Sequence, residues 1–317
     1  MSIERRAKVQ ALLGGAAWIA LLFTPIETDL LQQITWLLLL SILVIFPLGF
    51  SLTGPHSSKN LSPVLYKVAL FLQPFAAAIV VTAFFLPKGV LSGTFAIVWL
   101  PLTLFAAGHG LIQLRERGWR AVFDHPAETC LALAPLYLPI GAIWLLASRL
   151  GTQPLGFAEP IITLTAVHFH YAGFAAPVLC GLAGLHMGNM KNWQKSIYRG
   201  IAIIVMLGPA LVAVGITFSR HVEAVAGAVL ALGYTGLALF TLGRVMMRLN
   251  GTLSRVFLGI SSLAAVVTML TAAGFALRGS GILPALSIPQ MVTVHGWGNA
   301  IGFVLCGLLG WGLKRAD

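Results

Sequence analysis

Ten runs of mostly apolar residues, each long enough to cross a lipid bilayer, dominate this sequence. A membrane-spanning helix needs about 20 such residues, and the runs are continuously apolar rather than alternating, which predicts helices and excludes the strands of a barrel. Composition agrees, because 58% of the 317 residues are hydrophobic, 9% are charged and the mean hydropathy is +0.91. A soluble domain could not bury that much apolar surface. The predicted spans are residues 9–26, 30–52, 64–87, 89–113, 127–149, 160–186, 200–218, 222–243, 256–277 and 289–313.

Basic residues gather on alternate sides of these spans. With the N-terminus in the cytoplasm, 16 of the 20 Lys and Arg residues, Lys59 and Arg315 among them, fall at cytoplasmic ends or connections, as the positive-inside rule requires. The exceptions are Lys88, Arg149, Arg220 and Arg278. The net charge of +11 therefore indicates topology, and because it forms no single patch it excludes a nucleic-acid partner.

We therefore predict an all-α polytopic transmembrane helical bundle of about ten spans. A single transmembrane domain over residues 1–317 is expected, because the polar connections are short. Both termini are predicted to be cytoplasmic, and the expected location is the bacterial plasma membrane, with the lipid bilayer as the surrounding partner.

Two histidines lie in the sixth apolar run, in the string His168-Phe169-His170-Tyr171. A rise of about 1.5 Å per residue from Pro160 places His168 about 12 Å and His170 about 15 Å deep, near the middle of a hydrocarbon core about 30 Å thick. Ionisable residues at this depth mark functional positions. In a regular helix, residues two apart diverge by about 200°, so these two histidines cannot chelate one metal, and Tyr171 is expected on the side of His168.

The tenth run offers neighbours at a similar depth. His295 and Asn299 are four residues apart and share a helix face, and Gly298 and Gly302 on the same side let another helix or a flat ligand approach closely. We expect His295 within a turn or two of His168. The predicted cluster is His168, His170, Tyr171, His295 and Asn299.

Two interpretations of this cluster stay open. An interhelical hydrogen-bond network with a purely structural role explains the same residues as well as a binding site does. Glu159, one residue before Pro160, is expected above the cluster as a gate or cation site, although an interface carboxylate is more often simply solvated.

The string HFHYAGF at residues 168–174, with Pro154-Leu155-Gly156-Phe157 upstream and His295-Gly296 and Asn299 downstream, resembles the YndJ-like family of bacterial integral membrane proteins. The resemblance covers most of the chain. It marks His168, His170, Tyr171, His295 and Asn299 as positions to test, and it implies no particular substrate or reaction.

Three functions remain to be distinguished. The first is a transporter or permease whose mid-membrane residues bind an unknown small solute or relay protons. The alternative is a redox or isomerising enzyme that uses haem or a transition metal, with His170 and His295 as ligands. The third is a non-catalytic assembly protein. We favour transport, because the spacings complete no metal shell and show no nucleophile with its base.

Overall fold

A computed structural model describes residues 3–27, 29–54, 61–278 and 286–314, and within these ranges the regular elements are all helices, without strands. Within them, nine helices are long and apolar enough to cross a membrane, which confirms the predicted all-α polytopic fold. Helix α1, Ile3–Leu21, precedes them. The nine are α2 Asp29–Ser51, α3 Ser62–Phe84, α4 Val90–Arg117, α5 Pro126–Leu150, α6 Ile161–Leu185, α7 Asn192–Phe218, α8 Arg220–Arg248, α9 Thr252–Ala276 and α10 Ile288–Gly312. Lys59 and Arg315 lie outside the described residues.

The helix bounds differ most from the predicted spans where polar residues extend a helix. Helix α7 begins at Asn192, eight residues before the apolar run, and α1 begins within its charged N-terminal stretch. Hydropathy marks where a chain becomes apolar, whereas helical hydrogen bonding continues into the aqueous boundary.

Several spans depart from regular α geometry. Helix α4 is interrupted around Ile97 and Val98, and α5 contains a 3₁₀ turn, Ala134–Tyr137, with Pro135 in it. Single π turns inside α-helices occur frequently at functional sites. The π-helical segments are Ser41–Ile45 in α2, Phe169–Ala175 in α6, Thr241–Val245 in α8, and Val292–Gly296 and Gly298–Leu305 in α10.

Packing divides the chain into two units. The first comprises Met1–Trp119 and Ala132–Ala175. In it α1 packs on α2, α3 packs on α4, and α5 packs on both α4 and α6. Helix α2 is 89% buried over its most apolar stretch, as is α6, against 39% for α3 and α4.

The second unit comprises Arg120–Leu131 and Ala176–Asp317. Here α7, α8, α9 and α10 pack in sequence, each on the next, as short connections between antiparallel helices favour. The expectation of a single domain over the whole chain stays a prediction.

Candidate functional site

His170 is the most enclosed of the predicted site residues, with 1% of its surface exposed. Its Nε2 accepts a hydrogen bond from the indole nitrogen of Trp99 at 3.0 Å. Its Nδ1 lies 2.8 Å from the carbonyl oxygen of Ala166, and because a carbonyl only accepts, Nδ1 carries the proton. His170 is thus neutral, with both ring nitrogens engaged inside the first unit.

The space around His170 is also closed on the side of α5. A Cβ on Gly141 would lie 2.7 Å from Nδ1 and 2.8 Å from Cε1 of His170, so the absence of a side chain at Gly141 is what admits the ring. Trp99 in turn meets Phe46 edge to face at 5.4 Å between ring centroids. The sequence placed His170 at membrane depth, but Trp99 on another helix carried no local signal.

His168 and Tyr171 occupy different surroundings. The ring of His168 is exposed, and its Nδ1 donates to the carbonyl oxygen of Leu164 at 2.7 Å. Tyr171 is buried and donates its hydroxyl to the carbonyl oxygen of Leu37 at 2.9 Å. The expectation that the two share a side assumed regular α winding, but α6 changes to π winding at Phe169, which has more residues per turn.

Glu159 lies just before α6 in a network of four hydrogen bonds. Its Oε1 accepts from the Ser148 hydroxyl at 2.5 Å and from Lys88 Nζ at 3.2 Å. Its Oε2 accepts from both the backbone nitrogen and the hydroxyl of Thr163, at 3.1 and 2.7 Å. Burial raises the pKa of the carboxyl, but the hydroxyl hydrogen bonds and the Lys88 charge outweigh it, so that the pKa lies below its ordinary 4.5. Glu159 is therefore a partnered anion.

A second ion pair at the same end of the first unit was not predicted. Arg149, 1% exposed, donates from Nη2 to Glu27 Oε1 at 2.7 Å. Its guanidinium carbon lies 4.5 Å from the ring centroid of Phe84. The signal in the sequence was Arg149 itself, an isolated basic residue at the end of a long apolar run.

The other buried histidine of this unit, His109, lies far along α4 and has its own partners. Its Nδ1 is 2.8 Å from the Ser62 hydroxyl, and its Nε2 is 2.7 Å from the Gln113 side-chain nitrogen. Its ring lies 5.1 Å from that of Tyr66. Both ring nitrogens of His109 therefore have partners, which identifies it as a core residue. Its named partners differ from those of His170.

In the second unit, His295 and Asn299 form a group with Thr268 of α9. His295 Nδ1 donates to the carbonyl oxygen of Thr268 at 2.9 Å, and the Thr268 hydroxyl donates to Asn299 Oδ1 at 3.0 Å. Asn299 Nδ2 donates back to the carbonyl oxygen of His295 at 2.8 Å. The two predicted residues are thus brought together, and Thr268 joins them. The expected meeting of His295 with His168 stays a prediction.

Thr268 belongs to a polar seam between α9 and α10 that recurs every seven residues. Ser261 donates to the carbonyl oxygen of Phe303, and Ser254 donates to that of Gly310, both at 2.6 Å. A seven-residue spacing keeps side chains on one helix face, so these bonds line one contact between antiparallel helices. The spacing is visible in the sequence and was missed there.

Protein atoms fill the close approaches expected at Gly298 and Gly302, and they also fill the space beside Gly173 in α6. A Cβ on Gly173 would lie 2.8 Å from the Tyr137 ring, one on Gly298 2.5 Å from Thr268 Cγ2, and one on Gly302 2.6 Å from Ala264 Cβ. Neighbouring helices therefore occupy the approach that a flat ligand would need.

The structure also gives no support to a metal site formed by the predicted histidines. Among the described residues, no three His, Cys, Asp or Glu side chains are grouped so as to hold a metal. The lone pair of His170 Nε2 already accepts from Trp99. These residues do not fit a haem or a metal ion, and the haem or metal alternative stays a prediction without support from this geometry.

Comparison with known proteins gives a family and no mechanism. The chain is 29% identical over 283 residues to the uncharacterized membrane protein YndJ of Bacillus subtilis (strain 168), an alignment that covers 88% of this chain and 48% of that protein. The chain thus spans about half the length of this relative. No solved structure matches it.

The apolar helices and this relative identify a multi-pass cell-membrane protein. The family model described as YndJ-like protein matches residues 36–303, which include the HFHYAGF string and all five residues of the predicted cluster. The chain belongs to the YndJ-like protein family.

Proposed function

We propose that this protein is a transporter or permease that moves a small solute across the cell membrane. The observation that carries the proposal is the exposed ring of His168 in the first half of α6, a helix that is 89% buried over its most apolar stretch. A titratable ring at this depth is costly in lipid and is tolerated where it faces a water-filled path.

His168 is suited to bind the solute or to carry a proton. Nδ1 is engaged by Leu164, so Nε2 is the ring atom left to act, and no side chain of the described part of the chain bonds it. His170 and Tyr171 are bound to neighbouring helices, which fits them to hold the π segment in place. Irregular helical segments at membrane depth are typical of transporter binding sites.

The proposal assigns Glu159 and the Arg149–Glu27 pair to a gate. These ion pairs join the segment before α2 to the end of α5, and the α3–α4 connection to the α5–α6 connection, at one end of the first unit. Opening that end would require breaking a carboxylate network and uncovering a buried guanidinium, which are costly steps that a bound solute would have to offset. His295 and Asn299 are the corresponding polar group of the second unit.

The test is whether water reaches position 168. In a chain with Cys130, Cys180 and Cys306 replaced by alanine, we would introduce His168→Cys and expose proteoliposomes to a charged, membrane-impermeant methanethiosulfonate. The matched control is Phe75→Cys, because Phe75 is 61% exposed in the middle of α3. Only a hydrated thiol ionises and reacts readily.

We expect the cysteine at position 168 to react at least about tenfold faster than the one at position 75. Equal, slow reaction at both positions would show that His168 faces lipid and would remove the support for transport. A Soret band, or stoichiometric iron, copper or zinc in the purified protein, would instead favour the enzyme alternative.

A further inference from the structure

Basic side chains collect at one end of the second unit, where α7 and α9 begin and α8 and α10 end. In the described part of the chain, none of them forms an ion pair with a carboxylate. By contrast, Arg278 at the opposite end of the unit pairs with Glu223 at 2.7 Å. The basic residues at this end that form no ion pair with a described carboxylate are Lys191, Lys195, Arg199, Arg244, Arg248, Arg255 and Lys314.

Two of these guanidinium groups converge on one short loop. Arg244 Nη2 donates to the carbonyl oxygen of Asn189 at 2.8 Å. Arg248 packs against Gly188, whose φ is +64° and where a Cβ would collide with the guanidinium. Gly188 and Asn189 are consecutive, so both guanidinium groups, which come from the end of α8, contact the same two-residue segment.

The local structure of α8 brings this pair to the loop. Arg244 and Arg248 are four residues apart and share a helix face. The π segment Thr241–Val245 and the 3₁₀ turn Met246–Arg248 reshape the last turns of α8. Gly188 supplies the left-handed backbone that most residues avoid, and with no side chain it leaves room for Arg248.

Among the described residues, no carboxylate forms an ion pair with Arg244 or Arg248. Backbone carbonyls accept hydrogen bonds from the arginines but do not neutralise them, and Arg244 Nε is buried with no partner among the described residues. Adjacent like charges repel each other. The planar forks of two guanidinium groups match the oxygens of a phosphate, which would satisfy both the charge and the donors.

We propose that Arg244 and Arg248 bind the phosphate of an acidic phospholipid headgroup. Exposed apolar side chains at the same end of the unit favour a lipid over a free anion. Met247, between the two arginines in sequence, is 77% exposed, and Trp193 at the start of α7 is 59% exposed. Aromatic and basic side chains at helix ends are typical of the membrane surface, and basic pockets between membrane helices bind lipid headgroups.

The experiment measures lipid binding to the purified full chain. Thermal unfolding in detergent is followed with added short-chain phosphatidylglycerol, phosphatidylcholine or inorganic phosphate, and retained lipid is counted by native mass spectrometry. We expect phosphatidylglycerol alone to raise the unfolding midpoint. The variant is Arg244→Gln with Arg248→Gln, and the control, Lys195→Gln with Arg199→Gln, removes the same charge at the same end of the unit.

We expect the arginine double variant to weaken phosphatidylglycerol binding at least about tenfold more than the control does, since only it removes the fork contacts. If the control weakens binding equally, the attraction is diffuse and the site does not exist. If inorganic phosphate raises the unfolding midpoint as much as phosphatidylglycerol does, the two arginines bind a free anion instead of a lipid headgroup. If the glutamine double variant does not fold, Arg244→Lys with Arg248→Lys replaces it, because lysine keeps the charge but lacks the planar fork. Full affinity of this lysine variant for phosphatidylglycerol would also overturn the proposed headgroup site.

Discussion

The atoms that approach His170 decide what this residue can do. Trp99 donates to one ring nitrogen, Ala166 accepts from the other, and Gly141 admits the ring by having no side chain. The fit between Gly141 and the ring is therefore a point in the interior of the first unit that tolerates little added volume.

Gly141→Ala tests this fit. The added Cβ would meet the His170 ring at 2.7 to 2.8 Å and Phe169 Cβ at 3.2 Å, so we expect the free energy of unfolding to fall by about 1–3 kcal/mol. Gly200→Ala is the control, since nothing lies within 4 Å of a Cβ there and helix propensity favours alanine by up to about 1 kcal/mol. Denaturant unfolding in detergent measures both, and equal stability of the two variants would contradict the packing described.

Glu159 makes stability depend on pH. Because the pKa of its carboxyl lies below the ordinary 4.5 in the folded state, the stabilisation is fully present above about pH 4.5 and is lost as pH falls through the folded-state pKa. We expect the unfolding midpoint of the wild type to drop more steeply between pH 5 and pH 3 than that of Glu159→Gln. Parallel curves for the two proteins would show that the network contributes no such stabilisation.

The sequence located the residues of the first unit but not their partners. The depth of His170 follows from its distance along an apolar run, whereas Trp99 is 71 residues away on another helix and has no local pattern that points to it. The change to π winding at Phe169 was equally invisible, because residue identity does not determine where an extra residue is inserted into a turn.

Helices α9 and α10 show how elements are joined in the second unit. Ser254, Ser261 and Thr268 each donate to α10, and the glycines of α10 let the two helices approach closely. Small residues and hydrogen bonds are the main source of helix association in lipid, where the hydrophobic effect is absent. A seven-residue polar spacing on one helix is therefore a contact signal that sequence reading should include.

Ser261→Ala tests the seam. It removes the donor to the Phe303 carbonyl, and we expect a loss of about 0.6 kcal/mol, and at most about 1.7 kcal/mol, in the free energy of unfolding. Ser262→Ala is the matched control. The two serines are 4% and 3% exposed, and Ser262 makes no hydrogen bond to α10 within the described ranges. A larger loss for Ser262→Ala would show that the hydroxyl bonds do not hold these helices together.

At the scale of the whole molecule, the long apolar runs predicted the helical architecture of the described residues. The nine spans found match the last nine predicted runs, because bilayer thickness fixes the length of an apolar helix. Lys88, Arg149 and Arg278, three of the four basic residues predicted on the outer side, form ion pairs. The cytoplasmic placement of both termini stays a prediction. The partners of the candidate site residues were less predictable, because they depend on long-range contacts that no short motif encodes.

Transport itself is tested most directly by uptake into vesicles. Proteoliposomes with the wild-type chain, with His168→Ala, or without protein would be incubated with a mixture of small metabolites at several pH values, and their contents identified by mass spectrometry. Our account predicts at least one solute that enters wild-type vesicles and is reduced to the protein-free level by His168→Ala. Wild-type vesicles that match protein-free vesicles for every solute and pH tested, with the protein correctly folded, would contradict it.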